Sequence, residues 1–364
     1  MPEQGDETGP PRGQRVDLVF EGGGVKGIGL VGALSVLEER GFLPQNVAGA
    51  SAGAIVAVLH AAGYSASELR EIILELDFRS FLDAAWEDRI PIVGVPLSIL
   101  LDQGIYEGDA FLAFARSLLE AKGVHTFSDL IHPEFADQFR YRYRVQVIVS
   151  DLTERRLLVL PRDAYRLGVR PDDFDVSLSV RMSMSIPIFF EPVRFRNPQT
   201  GQEHLIVDGG MLSNFPVWLF DTDDEPPWPT FGLLLVEPDP RTPVSERLPR
   251  QRAARGAAGR VVDYLKSIVQ TMLEAHDRLY IESADFARTI PIPTQGITGT
   301  EFNLPRHRAL ALYESGRAAS ERFLSSWDFE GYIAEFRQGK DQSRRREVAG
   351  RIRRAGALRP REES

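Results

Sequence analysis

Two glycine-rich turns, each set between a short apolar run and a helical pattern, constrain this chain more than any other feature. Val16–Phe20 (VDLVF) is an apolar run suited to a buried strand, residues 22–24 are consecutive glycines, and Ile28–Arg40 carries helical periodicity closed by Gly41. The pattern repeats at once. Val47 and Ala48 end a second strand, GASAG makes a tight turn, and Ala54–Ala62 reads as a helix stopped by Gly63. Strand–turn–helix units in series imply a parallel sheet with helices on its faces. The expected fold is therefore α/β, with three α/β/α layers around a mainly parallel central sheet. Further strands are expected at Tyr143–Ser150, Arg156–Leu160, Leu205–Val207 and Phe231–Val236. Helices are expected at Ser67–Leu76, Gly108–Ala121, Val261–Ala287 and Arg306–Trp327.

A chain of 364 residues with 43% hydrophobic and 26% charged residues can bury a substantial globular core. It has no cysteine, which excludes disulfides, thiolate metal sites and a cysteine nucleophile. Residues 1–14 are polar and rich in Pro and Gly, with no apolar h-region, and read as a disordered leader rather than a signal peptide. No stretch approaches the roughly 18–20 apolar residues of a membrane span; the longest, Ile90–Leu101, is broken by Pro91 and Pro96. The expected location is cytoplasmic, with peripheral membrane contact.

A net charge of −9 argues against nucleic-acid binding. Two basic stretches stand out against it: Arg241–Arg260, and Arg337–Arg361, with nine arginines and one lysine against two acids. Either is a candidate for contact with an anionic membrane, or is simply a solvated segment. The division expected along the chain is a leader over 1–14, a folded domain over 15–328 and an Arg-rich helix or tail over 329–364. Leu82–Leu101, rich in aromatics and prolines, is a candidate lid or interfacial loop, or packs on the core. The sequence leaves the oligomeric state open.

Three motifs carry chemistry. Gly49-Ala50-Ser51-Ala52-Gly53 is a G-x-S-x-G turn between strand and helix, where flanking Gly49 and Gly53 permit the close backbone approach that puts a serine on a sharp elbow. The following helix aims its N-terminus at developing negative charge. Upstream, Gly22-Gly23-Gly24-Val25-Lys26-Gly27 leaves backbone N–H groups bare at a helix start, as an oxyanion hole requires. The same glycines satisfy G-x-G-x-x-G, the dinucleotide fingerprint, but that reading needs an acidic residue at the end of the second strand. Glu38 and Glu39 fall on the first helix instead, and the second strand ends in GASAG. Third, Asp208-Gly209-Gly210 directly follows the apolar run Leu205–Val207, at the strand end where open α/β sheets place their sites. A carboxylate there can act as general base on a serine hydroxyl; an Asp-Gly turn is the alternative.

GGGVKG, GASAG and DGG, in this order and at these spacings, resemble the patatin-like phospholipases, and Val180–Val193 (VRMSMSIPIFFEPV) resembles that family's loop with a proline ahead of the DGG strand. The resemblance runs from about Val16 to Trp327. It implies a patatin-like fold and a Ser51–Asp208 dyad without histidine. It further implies an oxyanion hole from the amides of Gly23, Gly24 and Val25, and cleavage of phospholipid or other acyl-lipid esters with no metal and no cofactor. The six histidines show no metal-ligand spacing. His60, nine residues past Ser51 on one helix, stands about 13 Å from it along the axis. Lys26 is a candidate for orienting the glycine loop or meeting a phosphate, and Arg181 a candidate for binding a lipid head group through its planar fork.

Overall fold

The computed structural model describes residues 15–75, 108–222, 225–236, 283–299 and 301–337. Its centre is one eight-stranded sheet built from β1 (Arg15–Phe20), β2 (Leu43–Ala50), β3 (Val145–Asp151), β4 (Arg156–Leu160), β5 (Val193–Arg196), β6 (Glu203–Asp208), β7 (Thr230–Val236) and β8 (Thr289–Pro293). The order is β5-β6-β3-β2-β1-β7-β8, with β4 also paired to β3. The run β3-β2-β1-β7-β8 is parallel throughout, while β4, β5 and β6 add antiparallel pairs.

The period-2 alternation of each strand sorts its side chains into two cores. Leu18, Phe20, Val147, Val149, Leu233 and Leu235 join the larger cluster. Val19, Ile148 and Leu234 join the smaller one, which is closed by Phe215 and the 3-10 turn Val217–Phe220. The larger face carries α1 (Gly27–Glu39) and α2 (Ala52–Ala61), joined by α3 (Ala66–Glu75), α4 (Asp109–Ala121) and α5 (Val176–Ser183). Further along come α6 (Ser283–Ala287), α7 (Arg306–Ser326) and α8 (Phe329–Tyr332). α1 is buried on every side over Gly27–Leu37, because α7 packs outside it; a helix apolar all round belongs in such a middle position. The fold is the expected α/β architecture, a mostly parallel sheet with helical segments on both faces.

The register of β3 positions the site. β4 lies along residues 147–151 of β3, so it fills one edge there. The other edge is shared end to end. β2 takes it up to the pair Ala50↔Ile148, and β6, running the opposite way, takes it from Asp208↔Val149. Two strand ends, one leading to Ser51 and one ending at Asp208, therefore meet head-on at adjacent residues of β3.

Some elements differ from expectation. β2 begins at Leu43, and β6 spans Glu203–Asp208, so His204 sits inside the strand. β5 (VRFR) and β8 (TIPIP) carry no strand signal, one being half charged and the other holding two prolines; both lie at the ends of the sheet, where proline is tolerated. Val180–Ser183, read as the start of a loop, is the end of a helix over Val176–Ser183 capped by the Asp175 carboxylate, which accepts from Leu178 N–H. Its Ser- and Val-rich sequence has weak helix propensity. The residues after 328 begin by packing back onto the domain: Tyr332 and Ile333 are buried, and Arg337 donates to the Thr222 carbonyl at 2.6 Å. The 1–14 leader, Leu82–Leu101, Arg241–Arg260 and the tail past Arg337 lie outside the described residues, as does Val261–Ala287 before Ser283. Among the described residues no helix is long and apolar enough to cross a membrane.

Candidate active site

Ser51 sits between β2 and α2 with φ 51° and ψ −129°, a positive φ at a non-glycine residue. Such a conformation costs about 1–3 kcal/mol and persists only where its surroundings impose it. The surroundings here are the two flanking glycines. A Cβ on Gly49 would stand 2.3 Å from the Gly53 backbone, and one on Gly53 would stand 2.4 Å from the Phe20 carbonyl oxygen of β1. The turn is thus wedged between its own strand and helix on one side and the neighbouring strand on the other. Gly53→Ala is expected to lower stability by about 1–3 kcal/mol through backbone overpacking, read as a fall in thermal midpoint.

Asp208 closes β6 and is wholly buried, as Ser51 nearly is. Its Oδ1 accepts the Gly210 N–H at 2.7 Å, while Oδ2 has no hydrogen-bond partner among the described residues. Burial pushes its carboxyl up to about 7, against the opposing pull of the Ser51 hydroxyl and the Gly210 N–H. The hydroxyl is near enough to favour the carboxylate, but its Oγ is turned to the Met184 thioether at 3.8 Å. The hydroxyl and the carboxyl are neighbours in the site.

The glycine loop lies alongside. Gly22 is gripped twice by Asn214: its N–H donates to the Asn214 carbonyl at 3.0 Å, and Asn214 Nδ2 donates to the Gly22 carbonyl at 2.9 Å. Glu21 ties the same corner to β7 by accepting the Leu235 N–H. Gly24 holds φ 57° and its missing Cβ leaves room for the Gly299 carbonyl, which would lie 2.0 Å from that atom. That carbonyl accepts the Val25 N–H at 3.0 Å, and Lys26 N–H donates to the Gly23 carbonyl at 3.1 Å. The amides of Gly23 and Gly24 have no acceptor among the described residues. Lys26 is mostly buried, and no hydrogen bond or ion pair engages its ammonium among the described residues.

The structure therefore brings together Ser51, Asp208, Gly209, Gly210 and the loop Gly22–Gly27. The other charged candidates are placed elsewhere or turned inward. Arg181 is buried on α5, donating to Ser185 Oγ and, at 3.0 Å, to the Glu191 carbonyl. His60 Nδ1 lies 3.2 Å from the Tyr64 carbonyl oxygen. His204 Nδ1 lies 2.7 Å from Asp151 Oδ2, both groups fully enclosed. Glu21, Asn214, Gly299 and Ser183 were not singled out by sequence. Glu21 abuts the glycine loop, Asn214 follows DGG within four residues and Ser183 lies inside the Val180–Val193 block, so proximity to motifs was the available signal; Gly299 carried none.

In chemical terms the arrangement offers a strained, enclosed hydroxyl, a carboxyl tuned to ionise near neutrality, and two bare amides on a braced loop. The probable lipid hydrolase 463L of invertebrate iridescent virus 6 is 24% identical over 207 residues, 55% of this chain and 61% of that protein. The uncharacterized protein YqhO of Bacillus subtilis is 39% identical over 315 residues, 86% of this chain and 99% of its own length. Among solved structures, VipD from Legionella pneumophila aligns with a TM-score of 0.49 at 18% identity, covering 87% of this chain and 67% of that one. The family model described as patatin-like phospholipase matches residues 18–221, more than half of the sequence. The chain belongs to the patatin-like phospholipase family.

Proposed function

We propose that this protein is a serine lipid acyl hydrolase acting on phospholipid or related acyl-lipid esters, with Ser51 as nucleophile and Asp208 as its base. The single observation that carries the reading is the meeting of an elbow serine and a buried carboxyl, raised to about 7, at adjacent residues of β3. A base is most effective when its pKa lies near the working pH. Asp208 takes the Ser51 proton as Oγ attacks the ester carbonyl. The oxyanion is held by the Gly23 and Gly24 amides, whose donors are unspent; the Val25 amide, engaged by Gly299, braces the loop. The proton passes to the departing alcohol, leaving an acyl-serine. Water, deprotonated by Asp208, then releases the fatty acid and restores Ser51.

The two buried cations are assigned by their placement. Lys26, an ammonium beside the glycine loop, is the residue proposed to meet a head-group phosphate. The inward hydrogen bonds of Arg181 favour a role in holding the 181–191 segment over head-group contact. Nothing in the chemistry described requires a metal or cofactor, and the only partner proposed is the lipid surface that presents the ester.

The test is fatty-acid release from mixed phospholipid vesicles in the presence of EDTA. Release by the wild-type protein is the expected result; release that EDTA abolishes would overturn the metal-independent dyad. The rate should also titrate. Asp208 must be ionised to accept the proton, so activity is expected to rise with pH through about 7, and at pH 5 to be about a hundredfold below its plateau. A rate already at plateau at pH 5 would remove Asp208 from the base role.

A further inference from the structure

One hydroxyl outside the dyad stands where three chain segments converge. Ser183, the last residue of α5, is fully buried; its Oγ accepts the Ser51 N–H at 2.9 Å and donates to the Ile148 carbonyl at 2.7 Å. The two residues that follow extend the contact. Met184 places its thioether 3.8 Å from Ser51 Oγ, and the Ser185 carbonyl accepts the Asp208 N–H at 2.9 Å. Three consecutive residues thus touch the nucleophile's backbone, the nucleophile's hydroxyl and the base's backbone.

The location explains the need. Ile148 is the last partner of β2 and Val149 the first partner of β6, so the gap between the two strand ends falls at the Ile148 carbonyl. At that gap the chain leaves β2 for the elbow, and the Ser51 N–H no longer reaches β3 directly. Ser183 Oγ fills the break by relaying one hydrogen bond into another. Without it, the Ser51 N–H and the Ile148 carbonyl would be enclosed with no partner, which buried backbone groups avoid. They would otherwise meet each other, drawing Ser51 back toward strand register and out of the elbow. Either outcome moves Oγ relative to Asp208 and to the glycine-loop amides.

We propose that Ser183 is a positioning residue for acyl transfer, a hydroxyl that holds the Ser51 elbow at the distance from Asp208 that the reaction needs. This rests on the dyad reading given above. A misplacement of about 1 Å can lower a rate about 10²-fold, so the expected effect is large although Ser183 touches no substrate.

The experiment compares Ser183→Ala, Ser183→Thr and Ser183→Cys with wild type. Each is assayed on a soluble p-nitrophenyl ester, for the rate of labelling by a fluorophosphonate, and for thermal midpoint. Ser183→Ala is expected to lower kcat by about 10–100-fold with KM within about threefold, and to slow labelling by the same factor. Ser183→Thr, which keeps the relay, should restore both to within about threefold of wild type. A Ser183→Ala protein that turns over and labels within threefold of wild type would overturn the proposal. So would a folded Ser183→Thr protein as impaired as Ser183→Ala. Where Ser183→Ala does not fold, Ser183→Cys, a weaker acceptor, should label about tenfold more slowly than Ser183→Thr, and equal rates would overturn it. A wild-type protein that takes no label at Ser51 would instead overturn the dyad reading itself, with Ser51→Ala as the blank.

Discussion

Asp208→Asn is expected to lose acyl hydrolysis by about 10³-fold or more while gaining stability above neutral pH. The loss follows from the base role: asparagine keeps the shape and can accept the Gly210 N–H as Asp208 Oδ1 does, but it cannot take a proton from Ser51. In other serine enzymes, removing one member of such a set costs about 10⁴-fold or more. The gain follows from linkage. The folded-state pKa of Asp208, about 7, lies above its ordinary value of 3.8 because burial disfavours the ionised form. Between these values the folded protein holds a proton that the unfolded chain releases. Stability from this group is therefore fully present below about pH 4 and is lost as pH rises through 7. Asparagine has no charge to bury, so at pH 8 the variant should be more stable than wild type by roughly 2–4 kcal/mol. At pH 4 the difference should vanish. Denaturant unfolding at the two pH values checks the sign, and a variant less stable than wild type at pH 8 would contradict the burial argument. Asp17, also raised to about 7 by burial at the far end of β1, contributes a background of the same sign that both proteins share.

Ser51→Ala is expected to remove turnover to the limit of detection, about 10³–10⁶-fold, because among the described residues no other serine holds the positive φ of an elbow. It should change stability little. Alanine at φ 51° is as strained as serine, and the Ser51 backbone N–H still reaches Ser183. Ser51→Gly separates strain from chemistry. Glycine adopts positive φ freely, so that variant should be equally inactive yet about 1–2 kcal/mol more stable. Wild-type stability exceeding that of Ser51→Gly would mean that the elbow is unstrained. Fatty-acid release retained by Ser51→Ala would remove Ser51 from the nucleophile role.

The sequence made the central sheet and the three motifs legible because each is a local pattern. A strand, a glycine turn and a helix adjoin in the chain, and apolar periodicity marks them without knowledge of their neighbours. Asp208 was legible for the same reason, as a carboxyl at the end of an apolar run. What escaped was long-range. That β2 and β6 share one edge of β3 depends on β4 occupying the other, and no local pattern carries that. Ser183 lies 132 residues from the N–H it accepts; in sequence it reads as one serine among several in the Val180–Val193 loop. Gly299 reaches the glycine loop from beyond the segment matched by the family model. The edge strands β5 and β8 escaped because exposure and proline blur the alternation that marks central strands. That the candidate Arg181 donates to Ser185 and to the Glu191 carbonyl is likewise invisible in sequence, which cannot say which way a guanidinium points.

The central claim is that Ser51 is an activated nucleophile and Asp208 the group that activates it. The most direct measurement is the rate of covalent fluorophosphonate labelling as a function of pH, in wild type and Asp208→Asn, with the modified residue identified by peptide mass spectrometry. The account expects label on Ser51 alone, at a rate that rises through about pH 7 in wild type, and a slow rate without that rise in Asp208→Asn. Label on another residue, or the same pH-dependent rate in both proteins, would contradict it.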